Sequence, residues 1–204
     1  MILLPDVSSS WNTILLWGFI GYVMGSIPFG LLLAQIMGLR DLRSIGSGNI
    51  GATNVLRTGS RLAASLTLCL DFAKGAIVSF LALGFVDDAT AQSAGLGAIF
   101  GHCYPVWLFF KGGKGVSTSL GVLCVLDLRV GIACAMTWIA IIALIRISSV
   151  SGLAAVSTSL LWSFIFGHHS QIAFCLAVSL VVFCRHHENL KRLSFGTEPK
   201  IGQK

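Results

Sequence analysis

The sequence predicts an all-α integral membrane protein, a polytopic bundle of about seven transmembrane helices, some of them short. Of its 204 residues 55% are hydrophobic and only 11% are charged, whereas soluble domains carry about 25% charged residues. Several apolar runs also approach the roughly 20 residues that span a bilayer as a helix. Because the charged stretches between these runs are short, we expect residues 1–204 to form a single membrane domain.

Seven apolar runs are the expected helices. Two of them, 116–126 and 131–145, fall short of a full crossing, so they are tilted, re-entrant or fused into one long helix. Fusion would carry the C-terminus to the opposite side of the membrane, which the charge pattern disfavours; five spans with a re-entrant pair would not. The other five runs are 13–39, 62–86, 94–110, 150–167 and 172–184.

The charges predict the orientation. No cation precedes Arg40, so the N-terminus lacks the positive region of a cleavable signal, and the first apolar run is expected to stay as a helix. Alternate threading from an outside N-terminus places every Lys and Arg except Arg129 and Lys74 in the cytoplasm, where positive loops are favoured. It also leaves four acidic residues outside, namely Asp6, Asp87, Asp88 and Asp127.

The six cysteines are scattered through apolar segments without a paired spacing. They are predicted to be small core residues rather than disulfides or zinc ligands. The sequence therefore predicts neither a metal site nor a cofactor. The six positions are Cys69, Cys103, Cys124, Cys134, Cys175 and Cys184.

The first cytoplasmic loop contains the string GSGNIGATN, residues 46–54, between two arginines. Glycines allow turns in which backbone N–H groups converge on an anion, and hydroxyl and amide side chains add donors. Arg43 and Arg57 supply charge, so a phosphate is the expected ligand. The literal GxGxxG match is not a dinucleotide site because it follows a membrane helix instead of a β-strand. A flexible interfacial loop with snorkelling arginines is the alternative.

The second loop carries Lys111 and Lys114 separated by two glycines. Gly115 stands where a Walker loop needs Ser or Thr, but lysines and glycines before an apolar helix still suit phosphate capture at its N-terminus. Topogenic charge is the alternative. His102, in the preceding apolar run, is expected to be a hydrogen-bonded core histidine, and Asp71 and Lys74 are expected to neutralise each other.

The remaining two cytoplasmic loops are RISSVSG, residues 146–152, and RHHENLKRLSFGTEPK, residues 185–200. In the last one, His186 and Asn189 fall on one face of a helix, close to Lys191 and Arg192. A polybasic tail on anionic lipid headgroups is the alternative. Together the four loops offer more phosphate-binding groups than one phosphate needs, so two phosphorylated substrates are expected, at least one of them with an acyl chain.

These strings resemble the bacterial acyl-phosphate:glycerol-3-phosphate acyltransferase family. The resemblance covers nearly the whole chain and extends to GSIPFG (25–30) and DFAKG (71–75). It implies a compact helical enzyme of the bacterial inner membrane, with a cytoplasmic active site and no cofactor. The implied activity transfers a fatty acyl group from acyl phosphate to the 1-hydroxyl of sn-glycerol 3-phosphate, giving lysophosphatidate and inorganic phosphate in phospholipid synthesis.

The resemblance also implies roles for individual residues. The glycine-rich loop would bind acyl phosphate through Gly46, Ser47, Gly48, Asn49, Gly51, Thr53 and Asn54. Glycerol 3-phosphate would be held by Arg57, Lys111, Lys114, Ser149, His186 and Asn189, with His186, Arg57 and Lys111 as the catalytic group. Gly152 departs from the family, which often has a serine there.

Two groups are candidates for the base that takes the proton of the attacking hydroxyl. No histidine has an aspartate five residues later, so the His–Asp dyad of another acyltransferase class is absent from the sequence. The base is then His186 or, as we favour, a phosphate oxygen of the donor, while cations stabilise the leaving group. The expected partners are the two substrates, membrane lipid and the soluble enzyme that makes acyl phosphate, but no nucleic acid. A transporter or channel for an organic phosphate is the alternative function.

Overall fold

The computed structural model describes residues 3–202, and within them the regular structure is entirely helical, as predicted. The ten α-helices are α1 (Trp11–Gly25), α2 (Phe29–Ile36), α3 (Ala52–Leu56), α4 (Arg61–Phe85), α5 (Asp88–Cys103), α6 (Val116–Leu126), α7 (Leu128–Ile145), α8 (Ser148–Ile165), α9 (Ile172–Arg185) and α10 (His187–Ser194). Apolar side chains on their outer faces, such as Leu15, Phe80 and Leu144, are exposed, as they are on a bundle surrounded by lipid.

Within the described residues, four stretches are long and apolar enough to cross a membrane. They are Trp11–Ile36, α4, α7 and α8, and a fifth is obtained if α9 and α10, bent by 64°, count as one span. Helix α6 has only 11 residues and α5 has 16. Each predicted apolar run contains a helix, but these lengths support four or five crossings and leave the number seven as a prediction.

Two boundaries differ from the sequence prediction for local reasons. The first run breaks between α1 and α2 near Pro28, which has no N–H to donate to a continuing helix. The run 94–110 is helical only to Cys103, and Pro105 then begins a short 3₁₀ turn, Val106–Leu108.

Helices α6 and α7 are separate, which excludes one fused helix. Asp127 between them has an extended backbone, and its carboxylate accepts hydrogen bonds from the N–H groups of Arg129 and Val130 at the start of α7. A Cβ on Gly131 would lie 2.5 Å from Cα of Cys124. The two helices therefore fold back tightly against each other.

Helices α1 and α5 pack closely through small residues. A Cβ on Gly21 would lie 2.0 Å from the carbonyl oxygen of Ala94, and one on Gly25 would lie equally close to that of Ala98. Small residues let helix backbones approach in this way, which is a common device in membranes. The largest core lies beside this pair and includes three of the six cysteines, Cys103, Cys134 and Cys175.

The loops gather at two opposite ends of the bundle. At one end, which we call the acidic end, Asp87 accepts hydrogen bonds from Ser8 Oγ (2.6 Å) and Ser9 N (3.0 Å), and Gln171 Nε2 donates to the Leu126 carbonyl (3.0 Å). At the other, the cationic end, Thr53 and Ser148 hydroxyls meet at 2.9 Å. The cationic end contains the candidate site.

Candidate active site

A cavity of about 340 Å³ lies at the cationic end, between α3, α4, α6, α7, α8 and the C-terminal segment. Every predicted site residue lines it except Gly46, Gly48 and Lys111. Those on its wall are Ser47, Asn49, Gly51, Thr53, Asn54, Arg57, Lys114, Ser149, His186 and Asn189. Residues from all four predicted loops are thus brought to one place.

The glycine-rich loop is held by Asn54. Its Nδ2 donates to the carbonyl oxygens of Leu42 and Asn49, both at 2.8 Å, and its Oδ1 accepts from Ser47 N and Arg57 Nη1, both at 3.2 Å. Both N–H bonds of the buried amide are therefore used within the loop. Asn54 shapes the loop and orients Arg57, and any role as a donor to a ligand would compete with these bonds.

Gly46 allows this close approach. Its φ of +53° is a left-handed conformation, and a Cβ there would lie 2.5 Å from both Asn54 Oδ1 and Arg57 Nη1. A larger residue at this position would push the arginine away. Although it is absent from the cavity wall, Gly46 therefore helps to place Arg57.

The second loop uses its glycines differently from the prediction. Gly112 N donates to the Cys103 carbonyl (3.2 Å) and Gly113 N to the His102 carbonyl (2.9 Å), so these amides are not available to a phosphate. Arg185 fixes the same two glycines by donating to both of their carbonyl oxygens at 3.0 Å. What reaches the cavity from this loop is Lys114 with the first residues of α6.

The two lysines of this loop have different surroundings. The Lys111 side chain is exposed and lies outside the cavity wall, and its carbonyl accepts a hydrogen bond from Arg43. Lys114 lies on the wall, where burial lowers its pKa to about 8. Within residues 3–202, no carboxylate lies within ion-pair distance of Lys114 or of Arg57, so both cations are available to an anion.

His186 and Asn189 are buried on the cavity wall, and the predicted spacing on one helical face is consistent with this placement. His186 Nδ1 lies 2.7 Å from the Val182 carbonyl oxygen. Because a carbonyl only accepts, this nitrogen carries the proton, and Nε2 of the neutral ring is left as an acceptor.

Sequence reasoning missed Glu198. Its carboxylate accepts hydrogen bonds from Ser149 Oγ (2.7 Å), Asn189 Nδ2 (2.6 Å) and Arg192 Nε (2.7 Å). Burial by itself would raise the pKa of Glu198, but these hydrogen bonds outweigh it and hold the pKa below the ordinary value. The only signal in the sequence was its place in the GTEPK string.

Asp71 and His102 also line the cavity and were not predicted to do so. The expected pairing within α4 is confirmed, because Lys74 Nζ lies 2.8 Å from Asp71 Oδ1. His102 is buried, but its Nδ1 lies 3.5 Å from the same oxygen and has no hydrogen-bond partner among the described residues. The predicted burial of His102 is confirmed, and its polar neighbour is the carboxylate of Asp71.

Much of the remaining wall is apolar and is formed by α4, α6 and α7. A cavity with cations on one part of its wall and apolar side chains on another suits an amphiphile with an anionic head. The apolar residues from these three helices are Leu68, Phe72, Val116, Leu120, Ala135, Trp138 and Ile139.

Known proteins are similar to this chain in sequence and in fold. The sequence model of a family described as glycerol-3-phosphate acyltransferase matches residues 15–196. A glycerol-3-phosphate acyltransferase of Ruegeria pomeroyi is 52% identical over 98% of this chain and 99% of its own, and one of Cereibacter sphaeroides is 49% identical over 98% and 96%.

Two crystal structures of PlsY (YgiH), described as an integral membrane glycerol 3-phosphate acyltransferase, resemble this chain. The glycerol 3-phosphate form has a TM-score of 0.87 at 34% identity, covering 93% of this chain and 96% of that one. The lysophosphatidic acid form has a TM-score of 0.86 at 33% identity, covering 93% and 95%. The match in sequence and in fold extends over nearly the whole chain, and the protein therefore belongs to the glycerol-3-phosphate acyltransferase family of multi-pass membrane enzymes.

Proposed function

We propose that this acyltransferase moves a fatty acyl group from an acyl phosphate to the 1-hydroxyl of sn-glycerol 3-phosphate, the first acylation step of bacterial phospholipid synthesis. The observation that carries the proposal is the composition of one cavity. One part of its wall carries Arg57 and Lys114, cations without carboxylate partners within residues 3–202. A second part is polar and a third part is apolar. Two phosphates, a polyol and an acyl chain are the groups that such walls bind.

The acceptor and the product class have support from relatives. The two PlsY structures are described as the glycerol 3-phosphate form and the lysophosphatidic acid form of that enzyme. Because this chain shares the fold of those structures and has a cationic cavity of its own, we assign it the same acceptor and product class.

We assign the donor to the glycine-rich loop and the acceptor to the cations and polar side chains beside it. Ser47, Asn49 and Thr53 bind the acyl phosphate, with Gly46, Gly48 and Gly51 shaping the backbone around it. The acceptor contacts Arg57, Lys114, Ser149, His186 and Asn189. Lys111 stays a predicted contact, since its exposed side chain must turn inward to reach a substrate.

The reaction needs no oxidant or cofactor. The 1-hydroxyl oxygen of the acceptor attacks the acyl carbonyl carbon, the bond from that carbon to the phosphate oxygen breaks, and inorganic phosphate leaves. The glycine-rich loop, with Arg57 beside it, stabilises the negative charge on the departing phosphate. A phosphate oxygen of the donor takes the hydroxyl proton; His186 Nε2 is the alternative acceptor for it.

The membrane arrangement is part of the proposal. We infer seven passes with the N-terminus outside and the C-terminus in the cytoplasm of a bacterial inner membrane, because positive loops are retained inside. The grouping of Arg57, Lys114 and Arg185 at one end supports this orientation. The site would then open to cytoplasmic glycerol 3-phosphate and to the soluble enzyme that supplies acyl phosphate.

The test compares two donors with purified protein. Glycerol 3-phosphate is incubated with either palmitoyl phosphate or palmitoyl coenzyme A, and lysophosphatidate is measured. We expect product from the phosphate only, because the thioester has no phosphate beside its carbonyl and would leave the hydrogen-bond donors of the loop without an anion to bind. Comparable rates with both donors would refute the donor assignment.

A further inference from the structure

Glu198 gathers three donors at the polar wall of the cavity. Ser149 Oγ and Asn189 Nδ2 both donate to Oε1, and Arg192 Nε donates to Oε2. The Glu198 side chain is only 6% exposed. Its segment is anchored by a hydrogen bond from Ile201 N to the Arg146 carbonyl, at 2.7 Å. Glu198 is thus a fixed part of the wall.

The carboxylate divides the cavity by charge. It neutralises Arg192, whereas Arg57 and Lys114 keep their positive charges unpaired within the described part of the chain. A phosphate is therefore attracted to Arg57 and Lys114 more than to the neutral pair of Glu198 and Arg192. The wall around Glu198 is suited to hydrogen bonds with an uncharged part of the substrate.

The same carboxylate fixes the orientation of the Asn189 amide. A carboxylate only accepts, so the amide must turn Nδ2 toward it and leave Oδ1 on the other side. Asn189 is 3% exposed and lines the cavity, and its Oδ1 has no hydrogen-bond partner within residues 3–202. A buried acceptor without a partner is costly, so it points to a donor that a ligand would bring.

We propose that Glu198 is a positioning residue that makes the enzyme select an acceptor with a hydroxyl group at C2. By holding Nδ2 of Asn189, it leaves Oδ1 to accept a hydrogen bond from the C2 hydroxyl of glycerol 3-phosphate, while the phosphate lies at Arg57 and Lys114. A C2 ketone has no proton to donate, and a C2 methylene leaves Oδ1 unpaired. The inference rests on the proposed function, whose acceptor it refines.

The first test uses the unaltered protein with palmitoyl phosphate as donor. Its kcat/KM is measured for glycerol 3-phosphate, for the ketone analogue dihydroxyacetone phosphate, and for 3-hydroxypropyl phosphate, which lacks the C2 hydroxyl. All three have the reacting 1-hydroxyl. We expect the two analogues to be about 10- to 100-fold poorer, the effect of leaving a buried polar group unpaired. Equal values for the three acceptors would overturn the proposal.

The second test asks whether Glu198 sets this selectivity. In Glu198→Gln, the new amide offers both a donor and an acceptor, so Asn189 is free to flip and present Nδ2 to a ketone. We expect the preference for glycerol 3-phosphate over the ketone to fall toward one. The matched control is Glu188→Gln, since Glu188 is an exposed carboxylate on α10 with no hydrogen bond from a described side chain.

The selectivity ratio separates positioning from a structural role. Loss of structure lowers turnover of all acceptors equally, and an active Glu198→Gln enzyme with the wild-type ratio would refute the role of Glu198. Should that variant not fold, Asn189→Ala serves instead: it removes Oδ1, and retention of the full ratio would count against the proposal. Failure of the proposed function looks different, because the unaltered protein would then form no lysophosphatidate from palmitoyl phosphate and glycerol 3-phosphate.

Discussion

Arg57 Nη1, directly after the short helix α3, donates a hydrogen bond of 3.2 Å to Oδ1 of Asn54 on that helix. The same Oδ1 accepts from Ser47 N, so the amide joins the glycine-rich loop to the arginine on the cavity wall. The shape of the loop and the position of its cation are therefore set by one side chain.

This pair predicts the effect of removing the cation. In Arg57→Ala, a charge-assisted contact to bound phosphate is lost, at a cost of roughly 1.5–3 kcal/mol, or about one to two decades in kcat/KM. Arg129→Ala at the acidic end is the control and should change kcat/KM little. Steady-state acylation of glycerol 3-phosphate measures both. Equal activity of the two variants would mean that Arg57 serves only to set topology.

The two lysines of the second loop are predicted to differ. Lys114→Ala should lower kcat/KM by a decade or more, by roughly the free energy of one charge-assisted contact, because Lys114 lies on the cavity wall. Lys111→Ala should have the smaller effect if its side chain stays exposed, as it is in the structure. A loss with Lys111→Ala as large as that with Lys114→Ala would show that Lys111 moves into the site when substrate binds.

Lys114 predicts how substrate binding depends on pH. Burial lowers the pKa of its ammonium group to about 8. The ammonium is charged below that pH and neutral above it, so attraction to a phosphate is lost as the pH rises through the pKa of the free enzyme. We expect KM for glycerol 3-phosphate to increase above about pH 8 in the wild type. In Lys114→Arg this increase should move to higher pH, because a guanidinium keeps its proton. A pH profile that is the same in both enzymes would assign the titration to another group.

The orientation predicts which end a membrane-impermeant thiol reagent reaches in intact cells. In a variant without the six native cysteines, Lys200→Cys at the cationic end should be labelled only after lysis. Arg129→Cys, at the acidic end with its side chain 60% exposed, should be labelled before lysis. The reverse pattern would invert the proposed topology, and the same accessibility for both would contradict placement of the two ends on opposite sides.

The packing of α1 against α5 predicts a stability effect. In Gly21→Ala, the new Cβ would lie 2.0 Å from the Ala94 carbonyl oxygen, so the helices must separate. We expect the free energy of unfolding to fall by about 1–3 kcal/mol, as it does for overpacked cores. Gly84→Ala on α4 is the control, because nothing lies within 4 Å of its Cβ position. Thermal unfolding in detergent should give a lower Tm for Gly21→Ala only.

Much of the architecture could be predicted because it depends on local composition. Apolar runs long enough to span lipid must be helical, since a helix satisfies its own backbone hydrogen bonds there. The pairing of Asp71 with Lys74 was also predictable, because it is a contact within one helix. The crossing number was less predictable, because α6 has only 11 residues and apolarity alone does not say how a short helix lies in the bilayer.

The motifs of the loops also indicated most of the cavity wall, but not what each residue does there. The sequence predicts Asn54 as a donor to phosphate, yet its amide N–H groups donate to the carbonyl oxygens of Leu42 and Asn49. The sequence predicts that Gly112 and Gly113 belong to a phosphate-binding loop, yet their N–H groups donate to carbonyl oxygens at the end of α5. Which donors remain free is decided by neighbours that sequence spacing does not reveal.

The sequence by itself thus determined the fold class, the cationic loops and the family, since composition, charge order and motif strings are properties of the chain. Only the tertiary structure decided that Lys114 lies on the cavity wall while Lys111 does not, and that Glu198 meets Ser149 and Asn189. The physical reason is that these contacts join segments distant in the chain. They exist only after helix packing has placed the helix ends and the C-terminal segment around one cavity.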